Sequence, residues 1–188
     1  MSRSMHADTD QGGLAQRYNA VAQGFHWLVV ALIVMQVTIA LVLPAVLPKA
    51  TEEQVSTWHF AVGSSILAIM LLRLAWRLSH PPPPAPTDLP NSLRLLSRAT
   101  HWMFYGVLIV LPMLGWTAAS AYGAPVRLFG LIPLPALVGK DKALAEAVGQ
   151  VHETVAFGLL ALIALHVAGV LYHALVKQDG VVRRMLPR

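Results

Sequence analysis

The chain has 188 residues, 56% of them hydrophobic and 12% charged, and its mean hydropathy is +0.59. Such a composition is too apolar for an ordinary water-soluble domain and excludes a disordered one. Net charge is +5, but Lys and Arg flank apolar runs, so anionic lipid headgroups rather than nucleic acid are the expected neighbours. With no cysteine there can be no disulfide, no thiolate-held iron–sulfur cluster and no covalent Cys-x-x-Cys-His haem. Eight histidines remain to carry any redox chemistry.

The first 24 residues are polar, and the apolar run behind them lacks a small-residue cleavage site. The N-terminal segment therefore reads as part of the mature protein, not a signal peptide. Four runs nearly free of charge, at 25–47, 58–78, 100–121 and 152–176, approach the ~20 residues a helix needs to cross a bilayer. They predict an all-α membrane protein, a four-transmembrane-helix bundle in one domain over residues 1–188. Arg73 and Arg77 sit at the far end of the second run, where long cationic side chains reach the interface.

Pro81 to Pro84, with Pro86 and Pro90, predict a short extended connector between the second and third helices. The longest connection, Tyr122 to Gly149, is expected to hold a short amphipathic helix around Lys142 to Gln150 that caps one end of the bundle. An even number of spans puts both termini on one side. That side carries ten Lys and Arg (Arg3, Arg17, Arg73, Arg77, Arg94, Arg98, Lys177, Arg183, Arg184, Arg188) against Lys49, Arg127, Lys140 and Lys142 opposite. With Asp8, Asp10, Asp88 and Asp179 counted the terminal side is +6, and with Glu52, Glu53, Asp141, Glu146 and Glu153 the other side is −1, which predicts cytoplasmic termini.

The histidines fall at two depths. His59 and His152 are expected to open the second and fourth helices at the outer side, and His26 and His101 the first and third from the cytoplasm. His166 follows His152 by fourteen residues, about 21 Å of helix and within ~40° of the same face. Histidine is costly in hydrocarbon unless it faces the bundle interior with a partner. Inward imidazoles at two depths suit two stacked haem b groups, each iron taking one nitrogen from above and one from below.

At the outer depth only His59 and His152 are available. At the inner depth His166 can share iron with either His26 or His101. Zinc does not fit histidines split between leaflets, and a proton pathway would recruit Asp or Glu, of which the spans hold only Glu153 at an end. His173, seven residues beyond His166, lies toward the cytoplasmic interface; His6 and His80 fall in polar flanks and read as solvated.

Arg17-Tyr18 with Phe25-His26-Trp27, His59 with Gly63, and Arg73 to Arg77 resemble the prokaryotic cytochrome b561 family. So do His101 to Tyr105, Leu111 to Trp116, His152, His166, Val167, His173, Asp179-Gly180 and Arg183-Arg184-Met185. The resemblance covers roughly Arg17 to Pro187 and is most specific in the fourth helix; Phe60-Ala61-Val62 depart from the family's more polar stretch. It implies two haem b groups, held by His26 with His166 and by His59 with His152. It further implies that His101 and His173 are non-ligands beside a ubiquinone site, as in the superoxide-oxidising members.

Two axial imidazoles leave no open position on iron, so electron transfer is the expected chemistry. The reading that follows is a superoxide:ubiquinone oxidoreductase of the bacterial inner membrane. Arg73, fourteen residues from His59, is placed on the quinone side or against a haem propionate, and Arg127, Lys140 and Lys142 are candidates for steering superoxide. The alternative is a haem b relay subunit serving a separate dehydrogenase or hydrogenase as redox partner protein. A colourless proton or solute carrier is a third reading and predicts no Soret band.

Overall fold

The computed structural model describes residues 17–84 and 90–186. The readings made for Arg3, His6, Asp8, Asp10, Pro86, Asp88, Pro187 and Arg188 lie outside the described residues. Four helices are long and apolar enough to cross a membrane. Helix α1 runs over Ala20–Val37, continues through a π-helical stretch at Thr38–Val42 and closes with one turn at Leu43–Val46. Helix α2 is Glu52–Ser79, α3 is Asn91–Tyr122, and α4 is Lys142–Leu171 with a π-helical continuation at Tyr172–Lys177.

All four helices begin before the apolar runs that announced them, by five to ten residues. The apolar runs mark hydrocarbon thickness, while helical hydrogen bonds propagate into the polar flanks wherever a start signal permits. Asn19 Oδ1 accepts the Ala22 N–H at 2.8 Å and starts α1; Asp141 Oδ1 accepts the Leu144 N–H at 3.0 Å and starts α4. The expected separate amphipathic helix at Lys142 to Gln150 is therefore corrected: it is the first turns of α4. Nor do the histidines open their helices. His59 lies seven residues after Glu52, His101 ten after Asn91, and His152 ten after Lys142.

Between α3 and α4 the chain forms a small antiparallel hairpin, β1 (Arg127–Leu128) paired with β2 (Ile132–Pro133). Gly123, at φ 81, turns the chain out of α3 in the left-handed region, with its N–H returned to Ala119 and Ser120 carbonyls. The hairpin lies against α2, where Ser64 Oγ donates to the Arg127 carbonyl at 3.2 Å. Pro81–Pro84 continue without regular structure.

The core is a thin apolar layer of Val29, Ile66, Met70, Leu108 and Leu159, drawn from all four helices. Leu159 falls midway between His152 and His166, so this layer separates the two histidine levels. Large apolar side chains such as Val34, Leu72, Val110 and Leu165 stay exposed on the outer faces, as lipid-facing residues do. At the terminal end the last residues are stitched to α1. The Tyr18 N–H and the Gln23 side-chain amide donate to the Arg184 carbonyl at 3.1 and 3.2 Å, and Trp27 Nε1 donates to Met185 O at 2.9 Å. Arg17 donates to the Leu186 carbonyl, and buried Arg184 reaches the Pro84 carbonyl at 2.7 Å.

Candidate functional site

At the end opposite the termini, α2 and α4 bring His59 and His152 together, ring centroids 6.0 Å apart and ring planes 73° to one another. Each ring is braced from another helix. His152 Nδ1 donates to the Leu111 carbonyl of α3 at 3.0 Å, which leaves Nε2 as its free nitrogen. The approach depends on Gly115, where a Cβ would stand 3.0 Å from His152 Cε1. His59 Nδ1 lies 3.0 Å from the Gln36 side-chain amide of α1, which also donates to the His59 carbonyl at 3.1 Å.

Gln36 was not singled out from the sequence, although it is the lone amide within the first apolar run. Gly63 gives it room, since a Cβ there would meet Gln36 Nε2 at 3.3 Å. Beside the pair opens a cavity of about 650 Å³ lined by small residues, among them Ser56, Gly115, Ala118 and Gly149. Of the candidate steering cations, Lys140 packs its stem over Gly123 at this cavity's wall, Lys142 pairs with Glu146 at 3.7 Å, and Arg127 is exposed on β1.

At the terminal end His166 stands opposite two rings, His26 at 6.5 Å and His101 at 5.7 Å. Phe104 contacts the same imidazole at 5.4 Å. His101 Nδ1 donates to the Ser97 carbonyl at 2.6 Å, one turn back on α3. Arg73 places Nη2 3.3 Å from His26 Nδ1 and its guanidinium 5.7 Å from the Tyr105 ring centre. His173, seven residues beyond His166 on α4, pairs its Nδ1 with Asp179 Oδ2 at 2.7 Å. Burial pushes the Asp179 carboxyl up, but the hydrogen bonds from His173 and the Val181 N–H outweigh it and hold the group below its ordinary value. His80 is exposed and stacked on Trp76 at 3.8 Å.

The sequence profile of prokaryotic cytochrome b561 matches residues 17–188. The chain belongs to the prokaryotic cytochrome b561 family. Over 179 residues it is 27% identical to cytochrome b561 homolog 2 of Escherichia coli (strain K12), covering 91% of this chain and 92% of that one. It is 28% identical over 173 residues to the probable superoxide oxidase CybB of Yersinia pestis, covering 92% and 97%. Cytochrome b561 homolog 1 of Escherichia coli (strain K12) is 26% identical over 180 residues, covering 92% and 98%.

Membership implies b-type haem and electron transfer in a bacterial membrane. The residues present fit that group. A metal–nitrogen distance of about 2.0 Å and roughly 1.1 Å more to each ring centre would put two imidazoles sharing one iron about 6.2 Å apart, centre to centre. The facing pairs of this cytochrome, at 6.0, 6.5 and 5.7 Å, lie around that spacing. Among the described residues no cluster of three or more His, Cys, Asp or Glu could hold a bare metal ion; His59 and His152 meet as a pair, while His166 stands opposite two rings.

Proposed function

We propose that this cytochrome holds two haem b groups and carries electrons across the bacterial inner membrane from superoxide to ubiquinone. The observation that carries the reading is the pairing of His59 with His152 and, about 21 Å further along α4, the presence of His166 opposite a second ring. In this reading His59 and His152 hold one group, and His26 with His166 hold the other, following the family pattern. Bound haem would supply one-electron redox cycling, with the four histidine nitrogens as its protein ligands.

The protein's own residues do the rest. Gln36 and the Leu111 carbonyl fix the rings of His59 and His152, and fixed ligands lower the cost of each electron step. The apolar layer around Met70 keeps water out of the space between the two levels. At the terminal end, cytoplasmic by the charge count, His101, His173 and Arg73 serve ubiquinone, which needs two protons with its two electrons. At the opposite face Arg127, Lys140 and Lys142 raise the local concentration of anionic superoxide. Two superoxide anions are oxidised to dioxygen while one quinone and two protons become quinol.

The test uses purified, haem-loaded protein given a steady superoxide source and a soluble ubiquinone. Quinone reduction above the uncatalysed rate supports the reading. No stimulation, with a stoichiometric redox protein co-purifying from native membrane, would establish the relay role instead.

A further inference from the structure

The terminal end of the bundle holds one described carboxylate, Asp179, and the fold commits it to a histidine. The device begins in α4, whose last turns, Tyr172–Lys177, widen to π-helical geometry, a distortion that recurs at functional sites. Gln178 then takes the left-handed conformation at φ 51 and reverses the chain. The reversal returns Asp179 onto the helix it has just left, with Oδ2 2.7 Å from His173 Nδ1 and Oδ1 accepting the Val181 N–H at 3.2 Å. Both side chains are largely covered, 21% and 15% exposed.

A carboxylate on Nδ1 has a chemical consequence. It takes the Nδ1 proton as its own hydrogen bond, so Nε2 alone remains to exchange protons, and it balances the charge of the doubly protonated ring. From this geometry we infer that Asp179 is a positioning residue for His173, fixing the imidazole as a proton donor through Nε2 to a ubiquinone carbonyl oxygen. The inference rests on the quinone reading above. In the step, two electrons originating from superoxide enter the quinone, the Nε2–H bond breaks as the quinone O–H bond forms, and neutral His173 keeps Nδ1–H on Asp179. Water at the cytoplasmic face then restores the Nε2 proton. A second proton reaches the other oxygen from the same aqueous side.

The competing explanation is structural: Asp179 merely caps the turn before Val182–Arg184. Asp179→Asn separates the two, because asparagine still offers an oxygen to the Val181 N–H but carries no charge for His173. In haem-loaded full-length protein, the Asn variant should lower kcat for ubiquinone reduction on the order of 100-fold. KM, haem content and the rate of haem reduction by superoxide should stay near wild type. Wild-type turnover in Asp179→Asn, with damage only in Asp179→Ala, overturns the inference.

A second measurement does not depend on quinone activity. In dithionite-reduced protein with 15N-labelled histidine, His173 is assigned by its loss in His173→Gln. It should be a single Nδ1–H tautomer that becomes mixed in Asp179→Asn. An Nε2–H tautomer in the wild type overturns the role of Asp179. Failure of the wild-type protein to reduce ubiquinone would instead sink the function while this spectrum stood.

Discussion

The two ends of the bundle solve different problems with the same residue type. Opposite the termini, two histidines face each other, each braced by one group from a further helix, and the surroundings are small residues and a cavity. At the terminal end His26, His101 and His166 gather with Arg73 and Tyr105, His173 pairs with Asp179 just beyond α4, and the last residues described are tied down over α1. On the proposed reading the first arrangement grips one porphyrin through His59 and His152. On the same reading the second has protonatable groups beyond its two ligands, as a two-proton acceptor requires. An electron needs only a ladder of fixed ligands, whereas a quinone also needs protons.

The largest expected effects test whether the ends are independent. His59→Ala or His152→Ala should halve the haem per polypeptide measured as the pyridine haemochrome and leave the other group's spectrum in place. His26→Ala should do the same for the terminal end. His101→Ala is the sharper case, because His101 lies closer to His166 than His26 does. Retention of both haems with slowed quinone reduction supports its role as a quinone-side residue. Loss of a haem in His101→Ala, with retention in His26→Ala, would show that the surplus group is His26.

Smaller changes probe the braces. A Cβ at position 115 would press on His152 from 3.0 Å, so the ring must shift by a few tenths of an ångström for alanine and further for valine. Gly115→Val should weaken retention of the haem opposite the termini by about 10- to 100-fold, the usual cost of disturbing a ligand's outer contacts. Gln36→Leu removes the amide beside His59 Nδ1 and should broaden that haem's low-spin electron paramagnetic resonance signal while leaving the terminal-end signal unchanged. A change confined to the terminal end in either variant would contradict the separation by the apolar layer.

Most of the architecture is legible in the sequence because hydrocarbon thickness writes it directly as four apolar runs. The fourteen-residue spacing of His152 and His166 likewise follows from helix geometry alone. The starts of α1 and α4 lie ahead of the apolar runs because Asn19 and Asp141 cap them there. The brace on His152 is invisible in sequence because it is a backbone carbonyl, and it becomes available only through the register of α3 against α4 at Gly115. Gln36 carries a weak signal, a single amide in an apolar run, but its partner is 23 residues away on another helix. Asp179 stood out as part of a motif; its hold on His173 depends on a π-helical turn and a left-handed Gln178, neither of which propensity announces.

The smallest effect concerns the proposed capture of superoxide at the end opposite the termini, for which the structure ranks the three candidate cations. Lys142 already faces Glu146 at 3.7 Å, so its field at a distance is largely cancelled. Arg127 is exposed on the hairpin, whereas Lys140 packs over Gly123 at the wall of the cavity that His59 and His152 also line. Lys140→Gln should therefore slow superoxide oxidation most, by a factor on the order of two at low salt, with Lys142→Gln close to wild type. Because exposed charges are screened over about 10 Å at 0.1 M salt, the deficit should shrink steadily as ionic strength rises. A Lys140→Gln deficit that persists in high salt would mean that the side chain supports the Gly123 turn by packing, and the two ends would then differ in their proton chemistry but not in electrostatic capture.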